Sequence, residues 1–190
     1  MSGAGPRVVL VGPMGAGKST VGELLAESWG TTFRDTDRDV EDAQGRPISE
    51  IFVESGEQFF RDLERQAVKE ALETHDGVLA LGGGAVMDQE TRDALEGRLV
   101  VFLHVGLSDA VKRVGLGTAR PLLLGNVRAR VKALLDQRLP VYRGVATITV
   151  ETDGVPAEEV ARQVREQVER AEQGASGGSS AAGAAEEDGR

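Results

Sequence analysis

The sequence predicts an α/β protein built on a parallel β-sheet with helices on both faces. Short apolar runs alternate with segments of helical periodicity along most of the chain, the pattern of strands joined by crossover helices. The middle runs are too continuously apolar, or too short, to show the alternation of a half-exposed strand, which suits a sheet covered on both sides. Glycine-rich and charged stretches follow the runs, beyond the carboxyl ends of the strands, where ligands gather in such sheets.

The first strand is Val8–Val11, and it feeds directly into Gly12-Pro-Met-Gly15-Ala16-Gly17-Lys18-Ser19-Thr20. This stretch fits G-x-x-x-x-G-K-[ST], in which glycines let backbone N–H groups turn inward around phosphate oxygens. The Lys18 ammonium can reach the outer phosphates, and the Ser19 hydroxyl is placed to bind Mg²⁺. A helix over Lys18–Trp29 carries Val21, Leu24, Leu25 and Trp29 mostly along one face, and its positive end points at the same anion. A chance glycine-rich turn seldom has both a buried strand before it and a helix after it. The motif marks a nucleotide-phosphate site without saying what is done with the nucleotide.

The second strand, Thr32–Arg34, leads into Asp35-Thr36-Asp37. On an extended segment two carboxylates at i and i+2 point to one side, where one could serve a metal and the other a hydroxyl. A loop with a helix cap ahead of Val40 is the competing reading. The next helix, Gly56–Thr74, has an apolar arc containing Phe59, Phe60, Leu63, Ala67 and Ala71. At about 100° per residue Glu64 falls inside this arc, with Arg61 at its edge and within reach. A carboxylate there requires a partner. A structural ion pair satisfies that, and so does an arginine held for an anionic ligand; the sequence does not choose.

Strand Val78–Leu81 is followed by Gly82-Gly83-Gly84, which would let a ligand approach the backbone closely or would simply be a flexible turn. A helix at Gln89–Leu95, a strand at Leu99–Leu103 and a helix at Ser108–Val114 come next. The segment from Gly115 to Gly125 then frames Arg120-Pro121 and three leucines with glycines. It reads as a lid, over about 114–125, that brings a cation to a bound nucleotide, or as a helix connection whose leucines pack. In the helix Val127–Leu139, Arg138 shares a face with Val127, Val131, Leu134 and Leu135, one turn before an expected break at Pro140. It should point into the protein or a cleft, where its fork suits a carboxylate or phosphate, unless fraying turns it to solvent. A last strand, Thr147–Val150, precedes the helix Ala157–Ala171 with its stripe of Val160, Val164 and Val168.

Composition bounds the partners. With 190 residues, 40% of them apolar, the chain can form one domain over residues 7–170, after a flexible stretch at 1–6. Residues 171–190, rich in Gly, Ala and Ser and ending on acidic residues, read as a disordered tail. A net charge of −9 argues against nucleic acid or an anionic membrane as partner. There are no cysteines, hence no disulfides or thiolate metal sites. Neither a signal peptide nor a membrane span is visible, so a cytoplasmic protein is expected.

Taken together, these residues resemble the shikimate kinase family, small kinases of the nucleoside-monophosphate-kinase type. The resemblance runs from about Arg7 to Ala171 and rests on five separated motifs in the family's order. They are GPMGAGKSTVG, the DTD at 35–37, FFRDLE at 59–64, LGGGAV at 81–86, and RPLL at 120–123 with RLPVYRGVA at 138–146. The resemblance implies a three-layer α/β/α P-loop kinase with a five-stranded parallel sheet in the order 2-3-1-4-5 and a mobile lid. It implies transfer of the ATP γ-phosphoryl to the 3-hydroxyl of shikimate, a step toward chorismate and the aromatic amino acids; a monomer is expected. Gly15, Ala16, Gly17, Lys18, Ser19, Thr20 and Arg120 would hold ATP, with Lys18 on its β- and γ-phosphates and Arg120 closing with the lid. Ser19 and Asp35 would serve Mg²⁺. Asp37 would bind shikimate hydroxyls and is the family's candidate base. Arg61, the Gly82–Gly84 backbone and Arg138 would position the substrate, the arginines facing its carboxylate.

One stretch departs from the family. Many members carry an arginine near adenine just after the last strand, where this chain has Glu151-Thr-Asp-Gly-Val-Pro156. Two rival readings remain in view. A gluconate-kinase-like enzyme of the same fold would accept a linear sugar acid, and a silent nucleotide-binding module would bind ATP with no acceptor stimulating ADP release.

Overall fold

The computed structural model describes residues 5–115 and 126–178. Strands β1 (Val8–Val11), β2 (Phe33–Asp35), β3 (Val78–Ala80), β4 (Val100–His104) and β5 (Ile148–Glu151) form one sheet in the order β2-β3-β1-β4-β5. Every pairing is parallel, with Val9 opposite Leu79 on one side and Val100 on the other. The expected order is therefore the observed one, and the middle strand ends at the phosphate loop.

Successive residues of β1 enter opposite layers, as pleating requires. Val8 and Leu10 face a core shared with Val21 and Leu25 of α1 (Lys18–Trp29) and with Val160, Val164 and Val168 of α7 (Ala157–Gly178). Val9 and Val11 face the other layer. There Val68 and Leu72 of α3 (Ile48–Thr74) and Tyr142 of α6 (Val127–Val145) close the core. Two shorter helices, α4 (Gln89–Ala94) and α5 (Leu107–Gly115), complete the crossovers, and a 3-10 turn occupies Ala85–Met87. No described helix is long and apolar enough to cross a membrane.

Four sequence expectations are corrected. The DTD is not extended throughout: Asp35 ends β2 and caps α2 (Thr36–Gln44), its side chain accepting from the Asp37 amide. The helix cap ahead of Val40, the competing reading, is thus the one observed, although no stripe announces the helix because only Thr36 and Val40 are buried. The helix expected from Gly56 is present, but a helical stretch from Ile48 that the sequence did not suggest precedes it. Gly56 (φ 85°, ψ 167°) is a break inside α3. Pro140 does not end α6, which continues to Val145. A proline removes its own N–H from the ladder and crowds the carbonyl four residues back, but beyond it the buried Tyr142 stacks on Phe102 with ring centroids 5.1 Å apart, anchoring the next turn.

The fourth correction concerns the tail, because α7 runs past residue 171 to Gly178. Its extension is pinned at Glu172, which takes both Nε (2.9 Å) and Nη2 (2.8 Å) of Arg7. The same guanidinium lies 4.1 Å over the Trp29 ring, whose indole N–H donates to Glu169. The Arg7 hydrogen bond holds the Glu172 carboxyl below its ordinary value, against partial burial. A depressed carboxyl contributes stability above its unfolded value of about 4.3 and loses it as pH falls through the folded one. Arg7→Ala should lower the melting temperature at pH 7 by about 3 °C, for about 1 kcal/mol lost from a half-exposed pair and a cation–π contact. The deficit should narrow as pH falls below the usual carboxylate range. Thermal melts by circular dichroism across pH check both parts.

Candidate functional site

The phosphate loop bends between β1 and α1 with Gly17 as the helix N-cap at φ 91°, a conformation that costs a side-chain-bearing residue free energy. Ala16 is buried against the core, whereas Thr20 is exposed in the first helical turn. Lys18 curls over the loop and donates from Nζ to the carbonyls of Gly12 (2.8 Å) and Pro13 (3.1 Å). In the first turn of the helix, Ser19 Oγ donates to Asp35 Oδ2 at 2.8 Å. Asp35 thus divides its oxygens: Oδ1 caps α2, and Oδ2 meets the hydroxyl that the motif assigns to a cation.

The acceptor side forms around the three glycines after β3. Thr36, fully buried, accepts the Gly82 N–H at 3.1 Å and so ties the DTD to the glycine turn. A Cβ on Gly82 would stand 2.4 Å from Asp37 Oδ1 and 2.7 Å from Glu64 Oε1, so only glycine lets both carboxylates converge here. Arg61 Nη1 binds Glu64 Oε2 at 2.6 Å, and its Nη2 reaches Glu57. Burial pushes the Glu64 carboxyl above its ordinary range, and the charge and hydrogen bond of Arg61, with the charge of Arg138, counter this in part. Burial alone would lower Arg61, but Glu64 and Glu57 overcome it and keep the guanidinium firmly protonated. The sequence left an ion pair and a ligand-holding arginine as alternatives; the ion pair is present, and the paired Arg61 also lines the cavity.

Arg138 points inward, as its place on the apolar face predicts. Its Nη1 donates to the Gly83 carbonyl at 3.0 Å, while its buried Nε has no hydrogen-bond partner among the described residues. A buried N–H without a partner is costly, and its natural remedy is an acceptor on a ligand. Tyr142, one turn further along α6, donates its phenol to the same Gly83 carbonyl.

One cavity of about 400 Å³ gathers Ser19, Asp35, Asp37, Arg61, Gly83, Gly84 and Arg138, with Glu64, Met14, Phe52 and Phe60 on its walls. Gly82 lies just behind this wall. Gly15 and Gly17 stand in the adjoining loop and Lys18 opens α1, and Arg120 with the rest of the expected lid beyond Gly115 lies outside the described residues. A larger hollow of about 970 Å³ lies at the amino end of the sheet, beside residues 95–99 and the end of α6. It contains no residue of the phosphate loop or the acid–arginine cluster, so size does not mark the site; chemistry does. Several residues escaped sequence reasoning, among them Arg38, Glu41 and Ile48 on the wall and three more in or behind it. Phe52 precedes the break at Gly56, and Thr36 sits between two more conspicuous aspartates. Tyr142 is the chain's one tyrosine and offers no spacing to read.

Comparison with known proteins agrees with this chemistry. A family model described as "Shikimate kinase" matches residues 14–169. A shikimate kinase of Salinispora arenicola is 60% identical over 159 residues, covering 84% of this chain and 95% of the relative. One from Streptomyces coelicolor is 55% identical over 164 residues, covering 86% and 96%. Among solved structures, a shikimate kinase from Acinetobacter baumannii in complex with shikimate superposes with a TM-score of 0.83 at 36% identity, covering 88% of this chain and 94% of that one.

Proposed function

Because this chain belongs to the shikimate kinase family, whose members transfer a phosphoryl group from ATP to a shikimate hydroxyl, we propose how its own residues divide that work. Lys18 exchanges the carbonyls of Gly12 and Pro13 for the outer phosphate oxygens of ATP. The N–H groups of Gly15, Ala16 and Gly17 and the start of α1 cradle the remaining phosphate oxygens.

The hydroxyl of Ser19 and Oδ2 of Asp35 suit a hard cation, since both are oxygen donors and already 2.8 Å apart. Magnesium bound there would neutralise charge on the β- and γ-phosphates. Shikimate lies in the 400 Å³ cavity beside the loop, its carboxylate between Arg61 and Arg138 and its 3-hydroxyl at Asp37. Asp37 orients that hydroxyl and accepts its proton, and the Gly83 and Gly84 backbone flanks the ring. Alignment and charge neutralisation are the main demands of phosphoryl transfer, and these groups meet both. We propose that the enzyme works as a monomer in the cytoplasm.

The observation that carries this reading is the convergence of Asp37, Arg61 and Arg138 on a cavity that Ser19 and Asp35 also line. Its test is ADP production from Mg-ATP with and without shikimate, beside gluconate and other small hydroxy acids. Turnover is expected to depend on shikimate. Equal stimulation by gluconate, or none by any acceptor, would overturn it.

A further inference from the structure

The Gly83 carbonyl is held twice. Arg138 Nη1 reaches it at 3.0 Å and the Tyr142 phenol donates to it as well, the two side chains rising from one face of α6 four residues apart. A carbonyl has two lone pairs, so both donors fit, yet only one is needed to keep it satisfied. The redundancy is costly for Arg138. Its Nη1 is spent on a backbone oxygen while its Nε lies buried with no partner among the described residues. A guanidinium in that state does not present its full fork to a carboxylate.

Resting on the reading that the cavity holds shikimate, we infer that Tyr142 is a positioning residue for that substrate. It keeps the Gly83 carbonyl satisfied, so that Arg138 can release it and turn its fork onto the substrate carboxylate. Three observations fit a fixed, permanent donor. Tyr142 is 1% exposed. Its ring stacks on Phe102 at an interplanar angle of 19°. Burial, the largest cause, pushes its phenol up to about 12 against the charge and hydrogen bond of the neighbouring Arg138, so it keeps its proton wherever the enzyme operates. Without that hydroxyl, Arg138 would have to choose between Gly83 and the ligand. Taking the ligand would leave a buried carbonyl unpaired.

The competing view makes Tyr142 a core aromatic whose hydroxyl is incidental. The two differ only in the hydroxyl, which Tyr142→Phe removes while leaving the ring on Phe102. If Tyr142 positions Arg138, the variant melts within about 2 °C of the parent, because Arg138 still holds Gly83 in the absence of substrate. Its Kd for shikimate, measured by calorimetry, rises about tenfold, the worth of one buried hydrogen bond. KM for shikimate follows and KM for ATP does not. A lower melting temperature with unchanged shikimate affinity would overturn the inference, as would equal weakening of both substrates. Arg138→Ala, run alongside, separates this from the reading beneath it. If Arg138→Ala weakens shikimate and Tyr142→Phe does not, the positioning role fails alone. If neither does, the shikimate site itself is misplaced.

Discussion

Asp37→Asn is expected to lower kcat for shikimate-dependent ADP release by about 10²–10⁴-fold, the range supplied by a positioned general base. The side chain leaves the first turn of α2 and comes against Gly82, on the wall shared with Arg61, Glu64 and Arg138. Asparagine preserves its shape and removes its charge and its capacity to take a proton. The size of the loss therefore distinguishes roles. A fall confined to kcat identifies a proton acceptor in the transition state. A rise in KM for shikimate with kcat largely kept identifies a group that only orients hydroxyls, which a loose phosphoryl-transfer transition state would tolerate. Unchanged turnover would remove Asp37 from the reaction.

Arg138→Ala should raise KM for shikimate about 30-fold or more, while KM for ATP moves by less than about threefold. The estimate comes from deleting a charge-assisted, bidentate contact to a carboxylate in a partly buried site, at about 2–3 kcal/mol. Arg138→Lys should recover only part of this, because an ammonium cannot reproduce the fork. The fold should survive, since Tyr142 still holds Gly83. Equal loss for both substrates, with a lowered melting temperature, would mark a folding defect and withdraw Arg138 from recognition. Initial-rate kinetics with each substrate varied in turn make the measurement.

Much of this site is legible in the chain because its members break a local pattern. Lys18 and Ser19 stand in a spaced motif, Glu64 interrupts an apolar arc, and Arg138 sits on a face otherwise made of Val and Leu. Each deviation can be seen within one or two helical turns. The parallel sheet is legible for a similar reason, since continuous apolar runs separated by helical periods leave few alternatives. What stays hidden depends on contacts distant in sequence. The phenol of Tyr142 meets a carbonyl 59 residues away, and Thr36 accepts an amide 46 residues away. Neither has a periodicity to betray it. Pro140 misleads in the opposite direction. It is a local breaker overruled by tertiary packing, because Tyr142 and Phe102 fix the turn that follows it.

The clasp at the far end of α1 has a practical consequence. Trp29 is the chain's only tryptophan, covered by the Arg7 guanidinium and bonded to Glu169. It closes a helix of 12 residues whose other end begins at Lys18, about 17 Å along the axis from the phosphate loop. Intrinsic fluorescence is therefore a reporter of whether α7 is docked, and a poor optical handle on occupancy of the cavity. Quenching by iodide or acrylamide would follow detachment of the C-terminal helix ahead of global unfolding. Substrate titrations need a different probe, and the absence of any native tryptophan near the cavity among the described residues leaves that side of the molecule free of indole emission for one to be introduced.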